Sequence, residues 1–311
     1  MTELPTFEVE LSADLVYTIS GGRPRLLDLY IPRGAARPMP VIVWLHAGGW
    51  RAGDRKQAPD LSRHFASHGF AMASIDYRLS GEATFPAQLH DVKAAIRWLR
   101  AHGGGYGIDG GRIGLWGASA GGHLATLAAL TPTNELGRPD DGANEHRDVP
   151  TDVQAVVTAY APIDFLSMDA QRDEARIAVE DPSAFVLPAG ARTADARSYE
   201  SLLIGAPIND RPDLARAASP LTYMAAGAPP FLIVHGRSDR AVPVQQSELL
   251  QEALARCGTD VTLHLVDERG HGFLDRADAA PARTLAVIET FFRRHLTGST
   301  FDRPATDGAH P

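Results

Sequence analysis

The sequence predicts an α/β protein with a mainly parallel sheet covered by helices. Two observations carry this expectation: short apolar runs alternate with longer segments of helical period, and one glycine-rich turn joins an apolar run directly to a helix. The runs are Leu26–Ile31, Val41–Leu45, Phe70–Ile75, Ile113–Trp116, Val153–Tyr160, Phe231–Val234 and Val261–Val266. Between the third and fourth, Leu89, Val92, Ile96 and Leu99 recur at steps of 3, 4 and 3, which lines one helix face. A further helix opens at Val242-Pro243, carries Leu249, Leu250 and Leu254, and stops at Gly258; the last carries Leu285, Ile288, Phe291, Phe292 and Leu296. One stretch breaks the rhythm. About 70 residues separate Tyr160 from Phe231, against roughly 2–6 in an ordinary α/β connection. Phe165, Leu166, Met168, Ile177, Phe185, Val186, Leu187, Tyr199, Leu202, Leu203 and Ile204 make it too apolar for a linker. It is expected to form an inserted cap, about 163–227, over the carboxyl edge of the sheet, where such sheets bind ligands. Residues 1–296 then form one domain, and the polar tail 297–311 is expected to be disordered.

Composition narrows the function. A chain of 311 residues, 44% of them hydrophobic, buries roughly 75% of its unfolded surface and needs no covalent staples. The 38 acidic and 30 basic residues give a net charge of −8, with no basic run interleaved with aromatics. Nucleic acid and anionic membrane are therefore not expected as partners. The single cysteine, Cys257, rules out an intrachain disulfide, and no Cys/His cluster has zinc-finger spacing. No metal or cofactor is expected. The N-terminus lacks a basic and apolar leader pattern and no 18-residue apolar run follows, so the expected location is cytoplasmic.

Chemistry concentrates in Gly117-Ala118-Ser119-Ala120-Gly121-Gly122, placed after the run ending at Trp116 and before a helix beginning near His123. A sharp strand-to-helix turn lifts a serine hydroxyl above the sheet, and glycines at 117 and 121 remove side chains that would collide around it. Serine is a poor nucleophile until a base takes its proton, so a histidine oriented by a carboxylate must follow. Asp239 comes after the strand Phe231 to His235, 120 residues beyond Ser119, and His271 after Val266, a further 32 residues on. Asp164, just past the strand ending at Tyr160, is the main rival to Asp239. Upstream, His46-Ala47-Gly48-Gly49-Trp50 follows the strand Val41–Leu45 and fits a glycine-rich oxyanion loop. Its donors would be the N–H groups of Gly48 and Gly49, joined by that of Ala120.

These elements resemble bacterial carboxylesterases of the hormone-sensitive-lipase-like branch of the α/β-hydrolase superfamily, in particular bifunctional feruloyl and acetylxylan esterases. The likeness runs from Leu26-Leu27-Asp28-Leu29-Tyr30-Ile31-Pro32 to Gly272-Phe273, through Gly53-Asp54, Asp76-Tyr77-Arg78-Leu79, Tyr106-Gly107-Ile108-Asp109, Ser219-Pro220-Leu221-Thr222-Tyr223 and His235 to Pro243. It implies an α/β-hydrolase fold, with an eight-stranded, mostly parallel sheet and a cap between strands 6 and 7. It also implies a Ser119, Asp239, His271 triad, and it allows dimerisation through the last strand and helix. The family more often has glycine where Ala47 stands.

Other motifs take structural readings. His46 is expected to brace its loop, and His123 and His235 to be satisfied core histidines. Asp76 and Arg78 suit an ion pair or hydrogen-bonded turn, and Asp267 and Glu268 exposed loop charges. Gly105 to Gly110 spells a dinucleotide fingerprint but follows a helix and precedes a strand, the reverse of the required context. His64 and His68 have i, i+4 spacing without the accompanying glutamate, which favours a solvated helix face. The expected function is hydrolysis of small carboxylic esters, short-chain acyl or hydroxycinnamoyl, with Trp50, Tyr160 and Phe165 lining the pocket. An arylformamidase-like amide hydrolase, an oligopeptidase and a non-catalytic ligand-binding protein on the same fold are the alternatives.

Overall fold

The computed structural model describes residues 6–132, 136, 146–174, 192–275 and 280–298. Its strands are β1 (Val9–Ser20), β2 (Arg23–Pro32), β3 (Met39–Leu45), β4 (Ala71–Ile75), β5 (Ile108–Ala118), β6 (Ala155–Ala159), β7 (Phe231–Gly236) and β8 (Val261–Val266). Its helices are α1 (Leu61–His64), α2 (Ala87–His102), α3 (Ala120–Leu130), α4 (Met168–Glu174), α5 (Tyr199–Ile204), α6 (Pro212–Ala218), α7 (Gln245–Arg256) and α8 (Ala282–Leu296). The eight strands form one sheet in the order β1-β2-β4-β3-β5-β6-β7-β8. The β1/β2 and β2/β4 pairs are antiparallel and every other pair is parallel. This is the α/β-hydrolase arrangement.

The central strands are buried on both faces, so their side chains split by the two-residue period into two cores. Val41, Val43 and Leu45 of β3, with Ile113 and Leu115 of β5, join a core shared with Leu89, Val92, Ile96 and Leu99 of α2. Ile42, Trp44 and Trp116 face the opposite core, against Leu285, Ile288, Phe292 and Leu296 of α8. The chain leaves β3 toward the face of α1 and leaves β5 toward the face of α3. Adjacent parallel strands whose connections diverge leave a crevice at their carboxyl ends. The oxyanion-loop sequence and the Ser119 turn open on that crevice.

The seven apolar runs are β2 to β8; β1 has no counterpart among them. Its ladder with β2 shifts register between Ser12 and Leu15 and between Val16 and Thr18, which scrambles the strict alternation of a half-buried strand. Leu11, Val16 and Ile19 are also half exposed. Ile177, Phe185, Val186 and Leu187 of the cap, and the tail beyond 298, lie outside the described residues. Among the described residues, no helix is long and apolar enough to cross a membrane.

The segment between β6 and β7 is tied down at four places. Phe85 N–H bonds Leu203 O at 2.8 Å. Gln246 Oε1 accepts from the N–H groups of Ile163 and Asp164 at 2.7 Å each. Buried Arg172 donates to Ala241 O at 2.6 Å. His123, fully buried on α3, donates from Nε2 to Ala218 O at 2.7 Å and accepts at Nδ1 from Trp50 Nε1 at 3.2 Å. Burial holds His123 down to about 4, so the imidazole is neutral and its one proton sits on Nε2. Phe165 stacks on the same ring at 5.3 Å. One side chain thus joins α3, the loop after β3 and the segment between β6 and β7.

This neutral histidine makes stability pH-dependent. The unfolded chain binds the proton that the folded chain refuses, so stability is complete above about pH 6.5 and falls toward pH 4, by on the order of 2–3 kcal/mol from this group. His123→Gln, which cannot titrate, is expected to be less stable at pH 7.5 yet to lose less stability between pH 7 and 4.5. Urea unfolding at several pH values measures both slopes.

Candidate active site

The turn from β5 to α3 places Ser119 at φ +51°, ψ −118°, a region non-glycine residues enter at about 1–3 kcal/mol of strain. Its N–H bonds Ala159 O at 2.8 Å and its carbonyl accepts His123 N–H at 2.9 Å. Both flanking glycines are required by contact. A Cβ on Gly117 would stand 2.2 Å from Gly121 O, and one on Gly121 would stand 2.0 Å from Leu45 O. The turn is pressed against the backbone where β3 ends. Ser119 keeps 9% of its surface exposed, enough for a small molecule to reach it.

His271 Nε2 lies 2.9 Å from Ser119 Oγ, and His271 Nδ1 lies 2.8 Å from Asp239 Oδ2. The Asp239 carboxylate is fully engaged. Oδ1 accepts the N–H groups of Ala241 and Val242 at 2.9 Å each, and His235 Nε2 stands 3.2 Å from Oδ2. Burial alone would raise this carboxyl, but the charge of His271 and the hydrogen bonds from His235 and His271 hold it well below the usual carboxylate range. An ionised Asp239 accepts only, so Nδ1 of His271 carries the proton and Nε2 is left to accept the Ser119 hydroxyl. Asp164 takes no part. Its backbone is held by Gln246, and its carboxylate caps Leu166 N–H at 3.3 Å.

Gly48 and Gly49 have φ +115° and +58°. Gly48 O accepts the N–H groups of Arg51 and Ala52 at 3.0 Å each, so tightly that a Cβ there would meet Ala52 O at 2.1 Å. Ala47 is not in the left-handed region, and its methyl is accommodated in the core. Ala120 opens α3, and the Ser119 side chain does not cap that helix. Its N–H is one of the orphan donors of a helix N-terminus, where negative charge is favoured.

The loop is held from below. His46, made neutral by burial, donates from Nδ1 to Ala47 O at 2.6 Å and stacks on Tyr77 at 4.2 Å, whose hydroxyl bonds His46 O at 2.8 Å. Buried Arg55 bonds Asp28 at 2.9 Å and Asp76 at 2.8 Å, and also reaches Asp14. This carries the oxyanion loop onto β2 and the end of β4. Asp76 and Arg78 are in ion pairs, though not with each other: Arg78 pairs with buried Asp91 at 3.0 Å. His64 and His68 do not share a solvated helix face. They sit on two successive short helices, half buried, and His68 Nδ1 meets Glu289 at 3.0 Å. Among the described residues, no three His, Cys, Asp or Glu side chains converge as metal ligands would.

Trp50, Tyr160 and Phe165, expected to line the pocket, are all buried: they are 1%, 0% and 0% exposed, so they offer a ligand no open surface. Trp50 and Phe165 pack edge to face at 5.5 Å beside His123. Tyr160 packs beneath His271 at 4.8 Å. Each follows directly on a site segment, so position along the chain suggested a lining role, but aromatic bulk there is used as a buttress. Tyr199, half exposed on α5, reaches the Gly48-Gly49 loop from the segment between β6 and β7: a Cβ on Gly49 would stand 2.6 Å from its ring. No local pattern links residue 199 to residue 49; only the docking of the cap does.

Comparison with known proteins follows this geometry. The BD-FAE family model matches residues 27–254. A probable carboxylic ester hydrolase, LipM of Mycobacterium tuberculosis, is 32% identical over 81% of this chain and 53% of its own length. Esterase LipC of the same organism is 33% identical over 85% of this chain and 61% of its own. The chain therefore spans between half and two thirds of these curated relatives. Among solved structures, a truncated carbohydrate esterase from gut microbiota superposes with TM-score 0.73 at 27% identity, covering 94% of this chain and 98% of that one. A thermophilic esterase of Thermogutta terrifontis, bound to butyrate, gives 0.66 at 25% identity, covering 94% and 95%. With the family model matched along most of its length, its strand order and its strand-end loops in place, this chain belongs to the BD-FAE family of α/β-hydrolases.

Proposed function

We propose that the protein is a serine carboxylesterase for small esters, working through an acyl-enzyme. The observation that carries this reading is one imidazole bonded to Ser119 Oγ on one side and Asp239 on the other. Ser119 Oγ attacks the ester carbonyl carbon while His271 Nε2 takes its proton. The negative charge on the carbonyl oxygen is met by the N–H groups of Gly48, Gly49 and Ala120, each worth about 2.7–4 kcal/mol in the transition state. His271 then protonates the departing alcohol, and water, activated by the same nitrogen, releases the acid. Asp239 keeps the imidazole in the working tautomer and balances its charge.

The reading extends to small substrates through a cavity near the site, one that Ser119, Asp239 and His271 do not themselves line. A cavity of about 300 Å³ is lined by Phe85, Pro86, Ile204, Leu214, Ala217 and Tyr223. Ile204 ends the helix whose Tyr199 lies on Gly49, and Ala217 adjoins the residue bonded to His123. Its wall is apolar, suited to a short acyl or aromatic group rather than a charged one. The related Thermogutta esterase binds butyrate.

Hydrolysis of p-nitrophenyl acetate, butyrate and octanoate, methyl ferulate and N-formylkynurenine tests the reading. Rates are expected to fall from butyrate to octanoate and to vanish in Ser119→Ala; preference for N-formylkynurenine would instead indicate an amide hydrolase. Asp239→Asn is expected to lower kcat about 10³–10⁴-fold by favouring the wrong tautomer. Asp164→Asn is expected to leave kcat within about twofold, since surface carboxylates remote from the reacting atoms contribute little. Steady-state kinetics on the two variants decides between the carboxylates.

A further inference from the structure

We propose that Tyr160 and Asp275 are positioning residues for His271, a fixed post on which the histidine loop is hung; this rests on the reading of Ser119 and His271 given above. The imidazole must be held from somewhere, and the strand that leads to it is a poor anchor. β8 is the edge strand, with no fully buried position in its span, and the turn after it, Asp267 to Arg269, is exposed. Tyr160 is the opposite. It follows the central strand β6 directly, is fully buried, and its N–H is bonded to Val234 O of β7 at 2.7 Å.

Four of the five residues 271–275 meet this one side chain. The His271 ring packs edge-on against it at 4.8 Å and 63°, and the Phe273 ring lies at 5.2 Å. The hydroxyl accepts Leu274 N–H at 3.1 Å and donates to Asp275 Oδ1 at 2.7 Å. Asp275 N–H closes back on Gly272 O at 3.3 Å. Burial and the neighbouring carboxylate keep the phenol protonated, so it remains a donor. The residues so fastened run from 271 to 275, and the first of them bears the base. Tyr160 is fully buried and acts through the imidazole.

Tyr160→Phe keeps the ring and removes only the two hydrogen bonds. It is expected to lower kcat on p-nitrophenyl butyrate about 10- to 100-fold, the scale of a misplacement near 1 Å, with KM within twofold. A fluorophosphonate provides a second readout. It forms a Ser119 Oγ–phosphorus bond, expels fluoride and hands the serine proton to His271, without using the acyl pocket. Its labelling rate, followed by mass spectrometry, should fall by the same factor. Asp275→Asn keeps an acceptor for the hydroxyl and should retain more activity than Asp275→Ala, and Tyr160→Phe with Asp275→Ala should be no worse than the poorer single variant.

Unchanged kcat and labelling in Tyr160→Phe would overturn the proposal, as would a change confined to KM, which would make Tyr160 a substrate contact. Losses in the Asp275 variants that follow thermal stability, without the Asn rescue, would overturn it too. A wild type that labels at Ser119 but hydrolyses no ester still tests the post through the labelling rate. A wild type that does neither would remove the esterase reading itself.

Discussion

The site depends on one contact between two stretches of backbone. Gly121, in the first turn of α3, stands where a Cβ would be 2.0 Å from the carbonyl of Leu45, the last residue of β3. Leu45 and Gly117 are also register partners in the sheet. The turn that presents Ser119 and the loop that presents Gly48 and Gly49 are therefore set against each other by main chain alone, with no rotamer between them. Such contacts move less than side-chain packing, which is what the proposed mechanism asks of this site. The strain at Ser119 persists because the surrounding bonds, to Ala159 and from His123, over-determine it.

Around this core the remaining parts arrive by longer routes and are fastened in turn. The Asp239 carboxylate is saturated by two N–H groups and two histidines, so its charge is stabilised without water. The Gly48-Gly49 loop is fixed below by the Arg55 carboxylate cluster and by His46 on Tyr77. The cap is fixed through Arg172, Gln246 and His123. Buried polar groups of this kind contribute only about 1 kcal/mol net when satisfied, but an abandoned partner costs about 1–3 kcal/mol. They specify one arrangement more than they add stability.

Much of this was legible in one dimension. The strands β3 to β7 announce themselves because their side chains are buried on both faces, which forces apolar runs. The strand-end loops announce themselves because close backbone approach forces glycine. β1 did not, since its register shifts and exposed face erase the two-residue period. The burial of Trp50, Tyr160 and Phe165 was not legible, because proximity along the chain to a site says nothing about the side of the backbone on which a side chain lies.

What the sequence by itself determined is the order of Ser119, Asp239 and His271 at strand ends, together with the glycines that make the sharp turn and the loop possible. These are local requirements of backbone sterics and are written in adjacent residues. Only the tertiary structure decided that Asp239 and not Asp164 meets His271, that Tyr199 lies on Gly49, and that Tyr160 and Asp275 grip the histidine loop. Those pairings join residues 32 to 150 positions apart, and long-range contacts are selected by how helices and loops pack on a finished sheet.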